Sequence, residues 1–304
     1  MPPAGTVPLP MVKSLESLED LRQDVDRVDN AIHDLLMERA ELVGRIGRLK
    51  RDGNAGILRP DREALLLRRL MSRHKGSFPK PALVRLWREI IAAPLHVQGP
   101  FSVAVYCPPD EPGFWDLARD QYGAHTPMTA LQSSHSVLRA VMEKDATVGI
   151  LPLPSQDDAT PWWPHLMVAD DDAPQVVLRL PIAGNGNGRG EDLEALAIAA
   201  IRPGPTGDDR SYLAFETADE MSRSRLTDTL EDSGLTPRFF AAVHEATPND
   251  QPTWRYLVEV ADYVTDGDER IEAFRERIAQ PAIRVQCIGH YAAPFEPAQL
   301  ADTD

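Results

Sequence analysis

Apolar residues recur at positions 18, 21, 25, 28, 32, 35, 42, 46 and 49, in alternating steps of three and four as one face of a helix requires. The spacing predicts a helix from about Leu18 to Lys50, with Ser17 and Asp20 as its amino-terminal cap. At 1.5 Å per residue this rod is about 50 Å long. The two shorter helices that follow are too short to cover its apolar seam, which predicts a partner chain. RDGNAG, residues 51–56, breaks the rod. Pro60 opens a second helix to about His74, and beyond Gly76–Pro81 a third carries Leu83, Leu86, Trp87, Ile90 and Ile91.

After Gln98-Gly99-Pro100 the period changes. SVAVYCP, PMTALQ and TVGILPLP read as short strands separated by helical stretches at 112–122 and 133–144, a β-α-β-α-β unit. A linker rich in Pro, Asp and Gly follows from about 154 to 192; its AGNGNGRG tract lacks the spacing of a phosphate cradle and reads as a surface loop, and Trp162 and Trp163 read as packing residues. From Arg210 the order is strand, helix (219–233, ended by Gly234), strand, strand, helix (268–279), strand, which is that of a ferredoxin-like split fold. The fold class expected is therefore multidomain. An all-α three-helix domain (15–99) leads into an α/β lobe (100–154), a linker with short strands (155–207) and a ferredoxin-like α+β domain (208–295), between a disordered start (1–14) and tail (296–304).

Charge changes the picture more than composition does. The chain has 304 residues, 42% apolar and 26% charged, ordinary for a globular protein. Its net charge of −15 is unevenly spread: residues 1–98 hold 17 Lys/Arg against 13 Asp/Glu, and the rest holds 15 against 34. The basic front suits a small anionic ligand, whereas nucleic acid would be repelled by most of the surface. No apolar run is long enough to span a bilayer and MPPAGTVPLP lacks the charged and apolar regions of a signal sequence, so a cytoplasmic protein is expected. Cys107 and Cys287 lie 180 positions apart without metal-ligand spacing, and both read as buried thiols.

The seam position missing between 35 and 42 is Arg39. Lys50, eleven residues on, lies within about 20° of the same face and about 16 Å along it. Arg22 is about 25 Å from Arg39 along the rod. One rod does not bring the three together, but an antiparallel pair of rods places Arg22 of one chain near Arg39 and Lys50 of the other. Arg39 alone also fits a snorkelling residue paired with Glu38 or a nearby Asp. Arg62-Glu63 in the first turn of the second helix adds a carboxylate able to accept from a hydroxyl, and Gln98 adds a neutral donor.

Those residues, in LEDLRQDVDRVDNAIHDLLMERAELVGRIGRLK, RPDRE, WREII and Gln98, resemble the all-helical chorismate mutases over about residues 15–98. The resemblance implies an intertwined helical homodimer that isomerises chorismate to prephenate by a Claisen rearrangement in aromatic amino-acid biosynthesis, without a cofactor. It assigns substrate carboxylates to Arg39 and to Arg22 from the partner subunit. Lys50 bridges a carboxylate and the ether oxygen, Gln98 donates to that oxygen, Glu63 takes the ring hydroxyl and Arg62 supports the site. The chemistry suits the residues. A pericyclic reaction needs a flexible dicarboxylate held in its reactive chair, and positive charge where the breaking C–O bond gathers electrons. Arginine matches planar carboxylates through paired hydrogen bonds, and lysine serves a single oxygen.

Two positions depart from the pattern: Arg59 stands where an acidic residue is usual and Pro94 where a small hydroxyl residue is usual, and proline is expected to disturb the last helical turn before Gln98. Further on, FSVAVYCPPDEPGFWDLARDQYG is similar to the first lobe of the prephenate dehydratase that follows this mutase in bifunctional relatives, and 210–291 resembles its ACT domain. The second lobe is too short to be present, and the dehydratase Thr-Arg-Phe motif has become Asp209-Arg210-Ser211. The segments EMSRSRLTDTL and AAVHEATPN lack the ACT motifs for phenylalanine. A mutase with a degenerate tail is the leading expectation; a bifunctional enzyme, or a regulatory dimer without turnover, are the alternatives.

Overall fold

A computed structural model describes residues 17–51, 57–95, 99–156, 158, 160–168, 170, 172–184, 192–245, 253–278 and 284–301, with only the backbone of 50, 51 and 245. The expected disordered start at 1–14 lies outside them. Three helices open the chain: α1 (Leu18–Arg51), α2 (Pro60–Arg73) and α3 (Lys80–Ala92). Ser17 and Asp20 cap α1 reciprocally, the Asp20 amide donating to Ser17 Oγ and the Ser17 amide to Asp20 Oδ2, both at 3.1 Å. Pro60 and Pro81 sit in the first turns of α2 and α3, where a missing N–H costs nothing, and α3 stops at Ala92, two residues before Pro94. The seam of α1 is uncovered. From Leu18 to Leu49 its large apolar residues are 45–74% exposed.

The rest of the chain builds one nine-stranded sheet. In order come β1 (Val103–Tyr106), α4 (Gly113–Tyr122), β2 (Met128–Leu131), α5 (Ser134–Met142), β3 (Val148–Pro152), β4 (Gln175–Leu180) and β5 (Ala195–Ala199). They are followed by β6 (Asp209–Thr217), α6 (Arg223–Asp232), β7 (Pro237–Glu245), β8 (Thr253–Ala261), α7 (Glu269–Ile278), β9 (Val285–Ala292) and the short α8 (Pro297–Leu300). The strand order is β2-β1-β3-β5-β4-β9-β6-β8-β7. Strand β1 runs parallel to β2 and β3, and β5 is antiparallel to β3 and β4. The final four strands are antiparallel in the order β9-β6-β8-β7, with α6 and α7 as their crossovers, which is the ferredoxin-like arrangement read from the sequence.

The two parts of the sheet join where β4 runs parallel to β9 at Val176 and Gly289. Gly289 has φ +145°, and a Cβ there would lie 2.2 Å from the Val176 carbonyl oxygen and 2.4 Å from its nitrogen. Only glycine lets the backbones approach this closely.

Several expectations are corrected here. The stretch expected to be a linker with short strands (155–207) holds two strands, β4 and β5, but they are largely buried and integral to the sheet rather than parts of a linker. Trp162 and Trp163 are packing residues, as expected, each 1% exposed within the core between the sheet and α5. Most of AGNGNGRG lies outside the described residues. The tail expected to be disordered from 296 folds as far as 301: Glu296 and Gln299 form a capping box on α8, Leu300 is buried, and Lys80 Nζ donates to the Ala301 carbonyl at 2.6 Å. Cys287 is buried as expected and burial pushes its thiol up to about 12, but Cys107, at the open end of β1, is only half-buried.

Candidate active site in the helical segment

Arg39 is half-buried on α1 and turns toward α3. Its Nη1 donates to the Ile90 carbonyl at 2.9 Å, and its guanidinium lies 5.8 Å from the centre of the Trp87 ring. Burial lowers its pKa from the usual arginine value, the direction expected of a charge held beside an apolar wall. Neither Glu38 nor an Asp is among its described partners. Arg22 is exposed and sits 3.6 Å from Glu19 one turn back, so within one chain it stays remote from Arg39. Arg62 is exposed on the first turn of α2. The backbone of Lys50 closes the last turn of α1; its side chain and all of Gln98 lie outside the described residues.

Glu63 is held. Arg88 Nη2 from α3 donates to Glu63 Oε2 at 2.6 Å, and the pair is almost fully enclosed, with 4% and 12% of the side chains exposed. Arg88 also meets Gln121 of α4: with the amide oxygen turned to the guanidinium, Gln121 accepts from Nη2 at 2.9 Å and Nη1 at 3.1 Å. Buried Tyr122 lies against the same cluster. Burial raises its phenol pKa, the Glu63 charge adds to the rise, and Arg88 opposes it. The sequence reading missed Arg88 and Gln121. A signal for Arg88 was present: Val84, Arg88 and Ile91 share the buried face of α3, so Arg88 interrupts an apolar stripe just as Arg39 does.

The start of α2 is fastened from two sides. Arg59, one of the two positions that depart from the expected pattern, makes a two-pronged contact to Asp61 at 3.0 and 2.7 Å. Burial pushes the Asp61 carboxyl up, but Arg59 and the amides of Arg62 and Gly204 outweigh it and leave the pKa below the usual carboxylate range. Further along α2, Arg68 donates to Thr206 Oγ1 and the Asp208 carbonyl, both at 2.7 Å, and to the Ala293 carbonyl at 3.1 Å. The helix that carries Glu63 therefore leans on the loop leading into β6.

At the start of β6, Asp209 and Ser211 hold the neighbouring loops in place. Asp209 accepts from the Thr206 hydroxyl at 2.6 Å and the Thr206 and Gly207 amides at 2.7 and 3.0 Å. Ser211 Oγ donates to the Asp262 carbonyl and accepts from the Val264 amide, each at 2.9 Å. Among the described residues no group of three His, Cys, Asp or Glu side chains is placed to hold a metal ion, and no described helix is long and apolar enough to cross a membrane.

Residues 21–99 match the family described as chorismate mutase type II. The chain is 34% identical over 143 residues to the bifunctional chorismate mutase/prephenate dehydratase of Aquifex aeolicus, across 46% of this chain and 39% of that protein. It is 31% identical over 147 residues to the protein of that description from Stutzerimonas stutzeri, across 45% of this chain and 39% of the relative. The chain thus spans 39% of the length of these curated relatives. The X-ray structure of prephenate dehydratase from Streptococcus mutans covers 64% of this chain and 99% of its own at 12% identity, with a TM-score of 0.44, a likeness too loose to carry an argument. Residues 21–99, which carry Arg39 on α1 and Arg62 and Glu63 on α2, thus match the chorismate mutase type II family and are followed in this chain by a sheet-rich region.

Proposed function

We propose that this protein is a chorismate mutase that isomerises chorismate to prephenate as a homodimer, with Arg22 supplied by the partner subunit. The observation that carries the reading is Arg39: a half-buried cation on an apolar seam, given a carbonyl and an indole ring as partners, inside the segment that matches the mutase family. A buried charge is costly unless an opposite charge meets it, and a substrate carboxylate supplies one. In this reading Arg39 and the partner's Arg22 fix the two carboxylates. Lys50 and Gln98 stabilise the ether oxygen as the C–O bond breaks, and Arg62 supports them. Glu63, held through Oε2, accepts from the ring hydroxyl. The protein supplies position and field, and no proton needs to move.

The uncovered seam of α1 supports the homodimer. Each Leu- or Ile-sized side chain taken fully from water contributes about 1.5–3 kcal/mol, and a second copy of the same rod, laid antiparallel, has the length to cover the whole stripe. We read the β6–β9 unit as an ACT-type remnant that serves dimer contacts or solubility, since its sequence lacks the family's phenylalanine motifs. Asp209 and Ser211, committed to turn and backbone hydrogen bonds, speak against dehydratase chemistry at that motif.

Arg39→Leu tests the reading. It completes the seam, so the melting temperature is expected to hold or rise, while chorismate turnover falls at least about 100-fold. A variant that keeps full turnover removes Arg39 from the site.

A further inference from the structure

Glu63 is linked through Arg88 to Gln121, a residue beyond the matched residues 21–99. Its carboxylate is held by Arg88, and Arg88 is 4% exposed. A guanidinium so deeply placed needs partners for its donors. Glu63 accounts for one contact and Gln121 for two, at 2.9 and 3.1 Å, while Arg88 Nε has none among the described residues. Packing alone does not pin the group, because a cavity of about 150 Å³ adjoins Arg88 and Gln121 between α3, α4 and the end of β4. Gln121 is itself 3% exposed on α4, outside residues 21–99. Neighbouring contacts hold α4 in register with α3: Arg85 Nη2 donates to Asp120 Oδ2 at 2.5 Å, and the Ala124 amide to Glu89 Oε1 at 3.3 Å.

We propose that Gln121 is a positioning residue of the chorismate site: through Arg88 it fixes the Glu63 carboxylate for the substrate's ring hydroxyl. This rests on the mutase reading of Glu63. The α/β lobe is then part of the mutase, since one of its side chains sets the geometry of a substrate contact on α2.

The test uses the full chain. Gln121→Met keeps the volume and removes the acceptor. It is expected to raise KM for chorismate about tenfold with kcat nearly unchanged, the scale of one weakened hydrogen bond to a charged group. Gln121→Glu, which restores an acceptor, is expected to bring KM back within about twofold of the unaltered protein. In a Glu63→Ala background, Gln121→Met is expected to add nothing, because its effect runs through Glu63. Should Gln121→Met lose its cooperative melt, Arg88→Lys takes its place, with the same rise in KM expected. An unchanged KM in an active, folded variant, or an equal rise with and without Glu63, overturns the proposal. Absence of turnover in the unaltered protein is a different result: it overturns the mutase reading and this role with it.

Discussion

Arg39 and Arg88 are cations on helix faces otherwise made of leucine, isoleucine and valine, and their surroundings differ in an instructive way. Arg88 has a carboxylate and an amide, so its charge is answered within the chain. Arg39 has a carbonyl and a ring among its described partners, so its charge is left for an anion to answer. A third buried group, His290, reports on folding. Its Nε2 faces the Pro203 carbonyl at 2.6 Å, its ring stacks edge-on with Tyr263 and it is 4% exposed. Burial holds its pKa below the usual 6.5; the Pro203 carbonyl, Asp209 and Asp61 oppose that shift and Arg202 adds to it. Because the folded value is depressed, the unfolded chain takes up the proton first. Stability is fully present above about pH 6.5 and falls as pH drops toward the folded value. Urea unfolding at pH 7.5 and 5.5 is expected to show a smaller acid loss in His290→Gln than in the unaltered chain; equal losses would refute the assignment. Arg39 was legible in the sequence because an interrupted helical period needs no tertiary knowledge. Gln121 was not, because nothing in its own helix marks it and only the packing of α4 on α3 brings it to Arg88.

Elements with a strong period were the legible ones: α1, α2 and α3, the strands around the first two crossovers, and the β-α-β-β-α-β order of the last third. Strand β4 was hard to place because its apolar run, Val176–Leu178, is only three residues long before Arg179 and is set among Pro, Asp and Gly. The joining of the two parts of the sheet was hidden for a different reason, since β4 and β9 meet at Val176 and Gly289, residues more than a hundred positions apart. Gly289 is the place to test that join. Its positive φ and the 2.2 Å approach of a would-be Cβ to Val176 mean that Gly289→Ala must push β4 and β9 apart. A loss of more than about 3 kcal/mol in unfolding free energy is expected. A loss below about 1 kcal/mol, the ordinary glycine-to-alanine scale, would mean the two halves of the sheet do not depend on this contact.

At the scale of the whole molecule, a basic helical front with an exposed seam is joined to an acidic sheet-rich body, and the contacts made by Asp61, Arg68 and Arg88 fasten α2 and α3 to that body. Two chains are needed in this account: one rod keeps Arg22 about 25 Å from Arg39, and only a partner closes the gap. The decisive measurement is chorismate turnover by the full chain, with prephenate and phenylpyruvate both assayed, for the unaltered protein, Arg22→Ala, Lys50→Ala and an equal mixture of the two variants after subunit exchange. The account predicts prephenate without phenylpyruvate from the unaltered protein and at least about a 100-fold loss in each variant alone. It predicts recovery of about a quarter of the activity in the mixture, where half the dimers hold one intact site. A folded, dimeric protein that leaves chorismate unchanged would contradict it.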